Sequence, residues 1–166
     1  MPDETIKDGF VLFWRGIFSQ WHPTSFVVEG VHYPTAEHWM MASKARLFGD
    51  DPALKAILAS DSPKEAKGIG REVNNFDKQF WETKCFDIVV KGNRCKFYQN
   101  ADAKKRLLDT GNKILVEASP DDKIWGIGIG QGDIRATNPA LWNGQNLLGQ
   151  ALMVVRHRLL GVGVTE

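Results

Sequence analysis

Apolar residues in the first third of the chain gather in short runs rather than at helical spacing. Val11-Leu12-Phe13-Trp14 is a continuous apolar run of strand length. Phe26-Val27-Val28 and Val31-His32-Tyr33 flank Glu29-Gly30, a hairpin pattern in which Gly30 accepts the positive φ of a two-residue turn. Beyond Tyr33 the pattern becomes helical. Thr35 is a candidate N-cap for a helix running to about residue 48, with Gly49 as its stop. Ser62-Pro63-Lys64-Glu65 combines a cap, a proline at the first helical position and a capping-box carboxylate. A longer helix is predicted over about 77–99, with Trp81, Cys85, Ile88, Val89 and Cys95 near one face. A shorter helix covers 101–109 and ends at Gly111, and Ile114-Leu115-Val116 has the composition of a buried strand. The closing helix, 147–160, turns Leu148, Ala151, Leu152, Val155 and Leu159 inward, with Arg156 and Arg158 flanking them.

Strands first, helices in the middle, then a strand and a final helix predict an α+β domain with helices packed around a small sheet. The 166 residues contain no repeat and no linker rich in Gly, Ser or Pro, so one domain is expected. At that length folding buries roughly 70% of the surface of the unfolded chain, enough to need neither a metal nor a disulfide staple.

Charge narrows the partners. With 21 Lys+Arg against 20 Asp+Glu, the net charge of +1 argues against a binder that grips polyanions through a broad basic field, while a local basic pocket stays open. Cys85 and Cys95 lie ten residues apart on one predicted helix. That separation is about 15 Å, beyond disulfide reach. Residues 1–10 carry no basic segment followed by an apolar one, and no apolar run approaches membrane-spanning length. A reduced, cytoplasmic setting away from any membrane is expected.

Familiar chemical motifs are missing. His22, His32, His38 and His157 show no paired ligand spacing and the cysteines no CxxC, so no metal site is expected. The glycines at 126, 128, 130 and 132 miss the dinucleotide pattern, because its third glycine would fall on Gln131 or Asp133. Neither a Walker lysine nor a GxSxG elbow occurs.

Three constellations remain. Glu37, Met41 and Lys44 share one helical stripe, an acid, an apolar residue and a base. Such a stripe is either a boundary from which both charges reach water or a pocket wall. In Leu115-Val116-Glu117-Ala118-Ser119-Pro120-Asp121-Asp122-Lys123-Ile124-Trp125-Gly126 a strand runs into acids and then Trp-Gly. Acids at a strand end suit general acid–base work and Trp125 suits stacking, while a polar turn beside a core tryptophan explains the same residues. In Trp142-Asn143-Gly144-Gln145-Asn146-Leu147-Leu148-Gly149, Asn146 is a candidate N-cap of the last helix or a ligand for ribose or phosphate.

The ordered set resembles the NADAR family, whose bacterial members are the YbiA-like proteins. The resemblance lies in Phe13-Trp14, Pro34-Thr35-Ala36-Glu37-His38 with Lys44, Gly70-Arg71-Glu72-Val73, and Lys96-Phe97-Tyr98-Gln99-Asn100. It continues in Glu117-Ala118-Ser119-Pro120-Asp121-Asp122 with Trp125-Gly126, and in Asn143-Gly144-Gln145-Asn146-Leu147-Leu148-Gly149. It implies a compact, mostly helical α+β domain over 10–161, with 1–9 and 162–166 as tails, and an N-glycosidase that uses no cofactor. Members of the family cleave the bond between a ribose anomeric carbon and an amine or base. The implied substrate is a small phosphorylated ribosyl compound, either a ribosylaminopyrimidine phosphate of riboflavin synthesis or ADP-ribosylated guanine in nucleic acid. Phe18-Ser19-Gln20-Trp21 departs from the more polar loop of the riboflavin branch, which leaves the branch open.

On this view Lys44 is the covalent partner of ribose C1, Glu37 or Glu117 moves the proton and Asp122 orients. Trp125 stacks on the base, Arg71 and Arg46 hold the phosphate, and Trp14, Gly126 and Asn146 complete the binding surface. The competing expectation is a module that binds ADP-ribose or NAD without cleaving it.

Overall fold

The computed structural model describes residues 2–161. The tail expected at 162–166 lies outside them. In chain order the elements are β1 (Glu4–Lys7), β2 (Phe10–Phe13), β3 (Phe26–Val28), β4 (Val31–Tyr33), α1 (Ala36–Leu47), α2 (Asp51–Ala59), α3 (Pro63–Arg71), α4 (Lys78–Gln99), α5 (Ala101–Asp109), β5 (Ile114–Glu117) and α6 (Leu147–Leu160). Helices predominate and the sheets are small, which makes the protein a mostly helical α+β fold. The chain forms two compact units, one from the residues up to Ser19 with those from Ala101 onward, the other Gln20–Asn100.

The first, the sheet unit, is built on a three-stranded sheet of order β1-β2-β5. β2 runs antiparallel to β1 and parallel to β5, with Phe13 opposite Glu117. As the central strand it is buried on both faces, which explains its unbroken apolar run. On one side Phe10, Leu12, Val116, Ala118, Ile127, Ile129 and Ala136 form a core that Trp142 closes. α6 packs on β5. Gly149 permits that approach, because a Cβ there would lie 2.1 Å from the Leu115 carbonyl oxygen.

Three expectations in this unit are corrected. Residues 1–9 are not a plain tail: Glu4–Lys7 form the edge strand β1, joined to β2 through Asp8 and Gly9, both at positive φ. Arg156 does not flank the inward face of α6. It is buried, and its guanidinium donates to Thr110 Oγ1 at 2.9 Å and to the Lys113 carbonyl at 2.8 Å. Asn146 makes no side-chain cap; it sits in the left-handed region at φ 54° and turns its amide onto β5 instead.

The second, helical unit is centred on α1, against which α2, α3 and α4 all pack. A helix surrounded on every side cannot show a single apolar stripe, and α1 buries His38 and Glu37 along with its apolar residues. The β3–β4 hairpin forms as read, with Glu29 and Gly30 both at positive φ. Thr35 caps α1, Ser62 caps α3 and Asp77 caps α4, each accepting an N–H three residues on. The Glu65 carboxylate reaches the N–H of Asp61 rather than that of Ser62. Sequence reading passed over α2, whose start is nonetheless signalled by Asp50 as cap and Pro52 in its first turn.

Candidate active site

The stripe on α1 is resolved by α3. Gly70 faces Met41 so closely that a Cβ would stand 2.1 Å from its Sδ, so only glycine lets α3 come this near. The approach sets the Gly70 carbonyl 2.7 Å from Lys44 Nζ, which donates to it. Glu37 and Met41 are buried and Lys44 is half-buried. The reading in which both charges reach water is thus overturned for Glu37, which is buried beside Met41.

Two aromatic rings lean over the Lys44 amine. Nζ lies 4.3 Å from the centroid of Phe76 and 5.8 Å from that of Trp81. Phe48 meets both Phe76 and Phe80 edge-on, at 5.3 and 6.2 Å between centroids. Burial pushes the Lys44 amine below its ordinary value, Glu37 pulls it back up, and Arg71 pushes it further down. A lysine whose amine is made less basic by burial, in a residue that is only half-buried, has the character of a nucleophile.

Loop geometry brings Phe76 to this point. Asp50 caps α2 through Oδ1, and its Oδ2 accepts the N–H of Asn74 at 2.8 Å. Asn75 then turns at φ 61°, and Asp77 starts α4. Sequence reading missed Phe76, Phe80 and the place of Trp81 beside the amine; the signal available was an aromatic cluster around a helix cap.

His38 is excluded as a proton shuttle for this amine. Fully buried, it is held neutral: Nε2–H donates to the Ser60 carbonyl, which leaves Nδ1 to accept from the Thr35 hydroxyl. Lys96 is more strongly perturbed, pushed down to about 7 by complete burial. At 0% exposure it is out of reach of a substrate carbon. Arg71 joins Lys44 and Glu37, but Arg46 does not. Arg46 lies across α1, 5.8 Å over the Tyr33 ring, where it lines a cavity of about 590 Å³ with Trp39, Ser43, Lys84 and Lys91.

The remaining predicted residues belong to the sheet unit, at the ends of β2 and β5. Trp14 follows β2 and is exposed; Glu117 ends β5, half-buried. Asp122 Oδ1 accepts the N–H groups of Ile124 and Trp125 at 2.9 and 2.8 Å, so this carboxylate organises the turn that carries Trp125. Gly126 fits beneath that turn, where a Cβ would meet the carbonyl oxygens of Asp122 and Glu117 at 2.9 Å each. Asn146 ties the group together: Oδ1 accepts the Glu117 N–H and Nδ2 donates to the Leu115 carbonyl, both at 3.0 Å. Trp14, Glu117, Asp122, Trp125, Gly126 and Asn146 therefore share one end of the sheet unit.

A family model, the NADAR domain, matches residues 12–160. The chain belongs to the NADAR family. This NADAR protein is 48% identical over 145 residues to the N-glycosidase R617 of Acanthamoeba polyphaga mimivirus, covering 84% of the chain and 85% of that protein. It is 33% identical over 144 residues to the N-glycosidase YbiA of Escherichia coli, covering 87% and 81%. The solved structure of the E. coli protein YbiA matches it with a TM-score of 0.76 at 29% identity, over 95% of this chain and 89% of that one. A plant relative, the riboflavin biosynthesis protein PYRR of Zea mays, is 31% identical over an aligned length of 175 residues that covers 96% of this NADAR chain and 26% of the larger protein. Among the described residues no helix is long and apolar enough to cross a membrane.

Proposed function

We propose that this NADAR protein is an N-glycosidase that separates ribose C1 from an amine nitrogen in a phosphorylated ribosyl substrate, with Lys44 as the covalent nucleophile. The carrying observation is the Lys44 amine itself, half-buried between Phe76 and Trp81 and coupled to Glu37 and Arg71. Relatives named N-glycosidase, at 48% and 33% identity, support the reaction class.

The step balances simply. The ribosylamine opens to its imine form, C1=N, by protonation of the ring oxygen's departing electron pair. Lys44 Nζ adds to C1, the leaving nitrogen takes a proton and departs as free amine, and C1 remains joined to Nζ as an iminium ion. Water adds to C1, the Nζ–C1 bond breaks, and the free sugar aldehyde leaves with Lys44 regenerated. The sum is one water consumed per C–N bond cleaved. Glu37 moves the proton in this scheme, and Glu117 is the other carboxylate assigned to that work. Arg71 supplies a planar fork for phosphate oxygens.

An exocyclic amine as leaving group fits both a ribosylaminopyrimidine phosphate and ADP-ribosylated guanine. The naming of the maize relative as a riboflavin biosynthesis protein favours the first. The deciding experiment offers both compounds to the protein, follows released amine by mass spectrometry, and adds borohydride during turnover. Cleavage of one of them and a sugar adduct on Lys44, both absent in Lys44→Ala, are expected. Tight ADP-ribose binding with neither cleavage nor adduct overturns the catalytic reading in favour of a binding module.

A further inference from the structure

The geometry points to Phe76 as the positioning residue for the Lys44 chemistry: its ring screens the amine from water before reaction and offers a π face to the iminium cation afterwards. This inference rests on Lys44 being the nucleophile. At 4.3 Å from the ring centroid, Nζ is at cation–π distance. Any carbon bonded to Nζ lies one bond length further on, so the positive charge shared by Nζ and C1 develops beside the same ring.

Phe76 is 42% exposed, so part of its ring stays open to solvent beside the amine. Its neighbours hold it in place rather than cover it. Phe48 supports it edge-on, and Asp50 anchors the preceding Asn74 N–H while buried itself. Trp81, the second ring at the amine, is further away and half-buried. The lowered basicity of Lys44, caused first by burial, agrees with an aromatic ring packed close to the amine.

Two effects are combined in Phe76, and three variants of the full chain separate them. Phe76→Leu keeps apolar cover without a π face, Phe76→Ala removes both, and Phe76→Trp keeps both. Turnover against pH and the yield of borohydride-trapped adduct are measured for each, with thermal unfolding as the control for folding. Phe76→Leu, which loses the π face that also favours the ammonium form, is expected to move the pH limb down rather than up and to lose about three- to tenfold in kcat and in trapped adduct, the range of a partly desolvated cation–π contact. Phe76→Ala is expected to show the same loss and also an upward shift of the limb towards ordinary lysine. Phe76→Trp should restore both readouts. The inference is overturned if Leu and Ala leave kcat, limb and trapping unchanged while Lys44→Ala abolishes them. A change confined to KM overturns it too, since that marks a ground-state contact. If the wild-type protein forms no adduct at all, the Lys44 reading fails first and this one with it.

Discussion

Around Lys44 the functional groups sit on the flanks of packed helices, whereas around Glu117 they are held by backbone turns. In the helical unit the decisive quantity is volume. α3 meets α1 at Gly70 against Met41, and that contact delivers a carbonyl to the Lys44 amine. In the sheet unit the decisive quantity is hydrogen bonding. One amide, Asn146, satisfies two backbone groups of β5, and one carboxylate, Asp122, satisfies two N–H groups of a turn.

The largest effect expected separates the two carboxylates. Replacing the one that moves the proton, in Glu37→Gln or Glu117→Gln, should lower kcat by about 10²–10⁴-fold. The other variant should lose much less at saturating substrate. Equal, small losses in both would remove carboxylate catalysis from either unit.

Next comes the Asn146 bridge. Asn146→Ala leaves a buried N–H and a buried carbonyl of β5 unpaired, which costs about 2–4 kcal/mol. Asn146→Gly suits the φ of 54° better but loses the same bonds, so its denaturation midpoint should fall too. A glycine variant as stable as wild type would show that backbone conformation, not the bridge, is what Asn146 contributes.

Gly70→Ala should cost about 1–3 kcal/mol through overpacking against Met41. In a Met41→Ala background the cost of Gly70→Ala should shrink, and additive losses in the double variant would contradict the volume argument.

The smallest effect is with pH. Burial lowers the folded-state pKa of His38, so the unfolded chain binds the proton better. The stability gained from neutral His38 is full above the ordinary value of 6.5 and declines as pH falls towards the lowered folded value. Hydrogen exchange should therefore speed up around α1 and Ser60 before it does around β5. His38→Gln should flatten that pH dependence, and an unchanged profile would mean another group drives it.

Local signals in the chain translated well where they concerned single elements. Thr35 and Ser62 cap the helices they announce, and the Glu29-Gly30 turn closes its hairpin. β1 was missed although Asp8-Gly9 is a strong turn pair, because an exposed edge strand of Glu4-Thr5-Ile6-Lys7 lacks an apolar run. Lys44, Glu37 and Arg71 were legible together as two short segments, and the structure joins them through Gly70. Arg46 was named for the phosphate beside Arg71 because a guanidinium fork suits its oxygens, but two residues along a helix from Lys44 is nearly the opposite side. Asn146 looked like a cap because its type and position before a helix are those of a cap. Its amide turns to β5 because those buried backbone groups have greater need of a partner.

Residue order alone was enough for the element sequence, the α+β class and the family, because caps, turns and apolar runs act over a few residues. It was also enough to single out Lys44, through its stripe and its place in the family's pattern. Tertiary packing decided what Lys44 became. The rings of Phe76 and Trp81, the Gly70 carbonyl and the lowered basicity all come from segments more than 20 residues away, and desolvation exists only once those segments close around the amine.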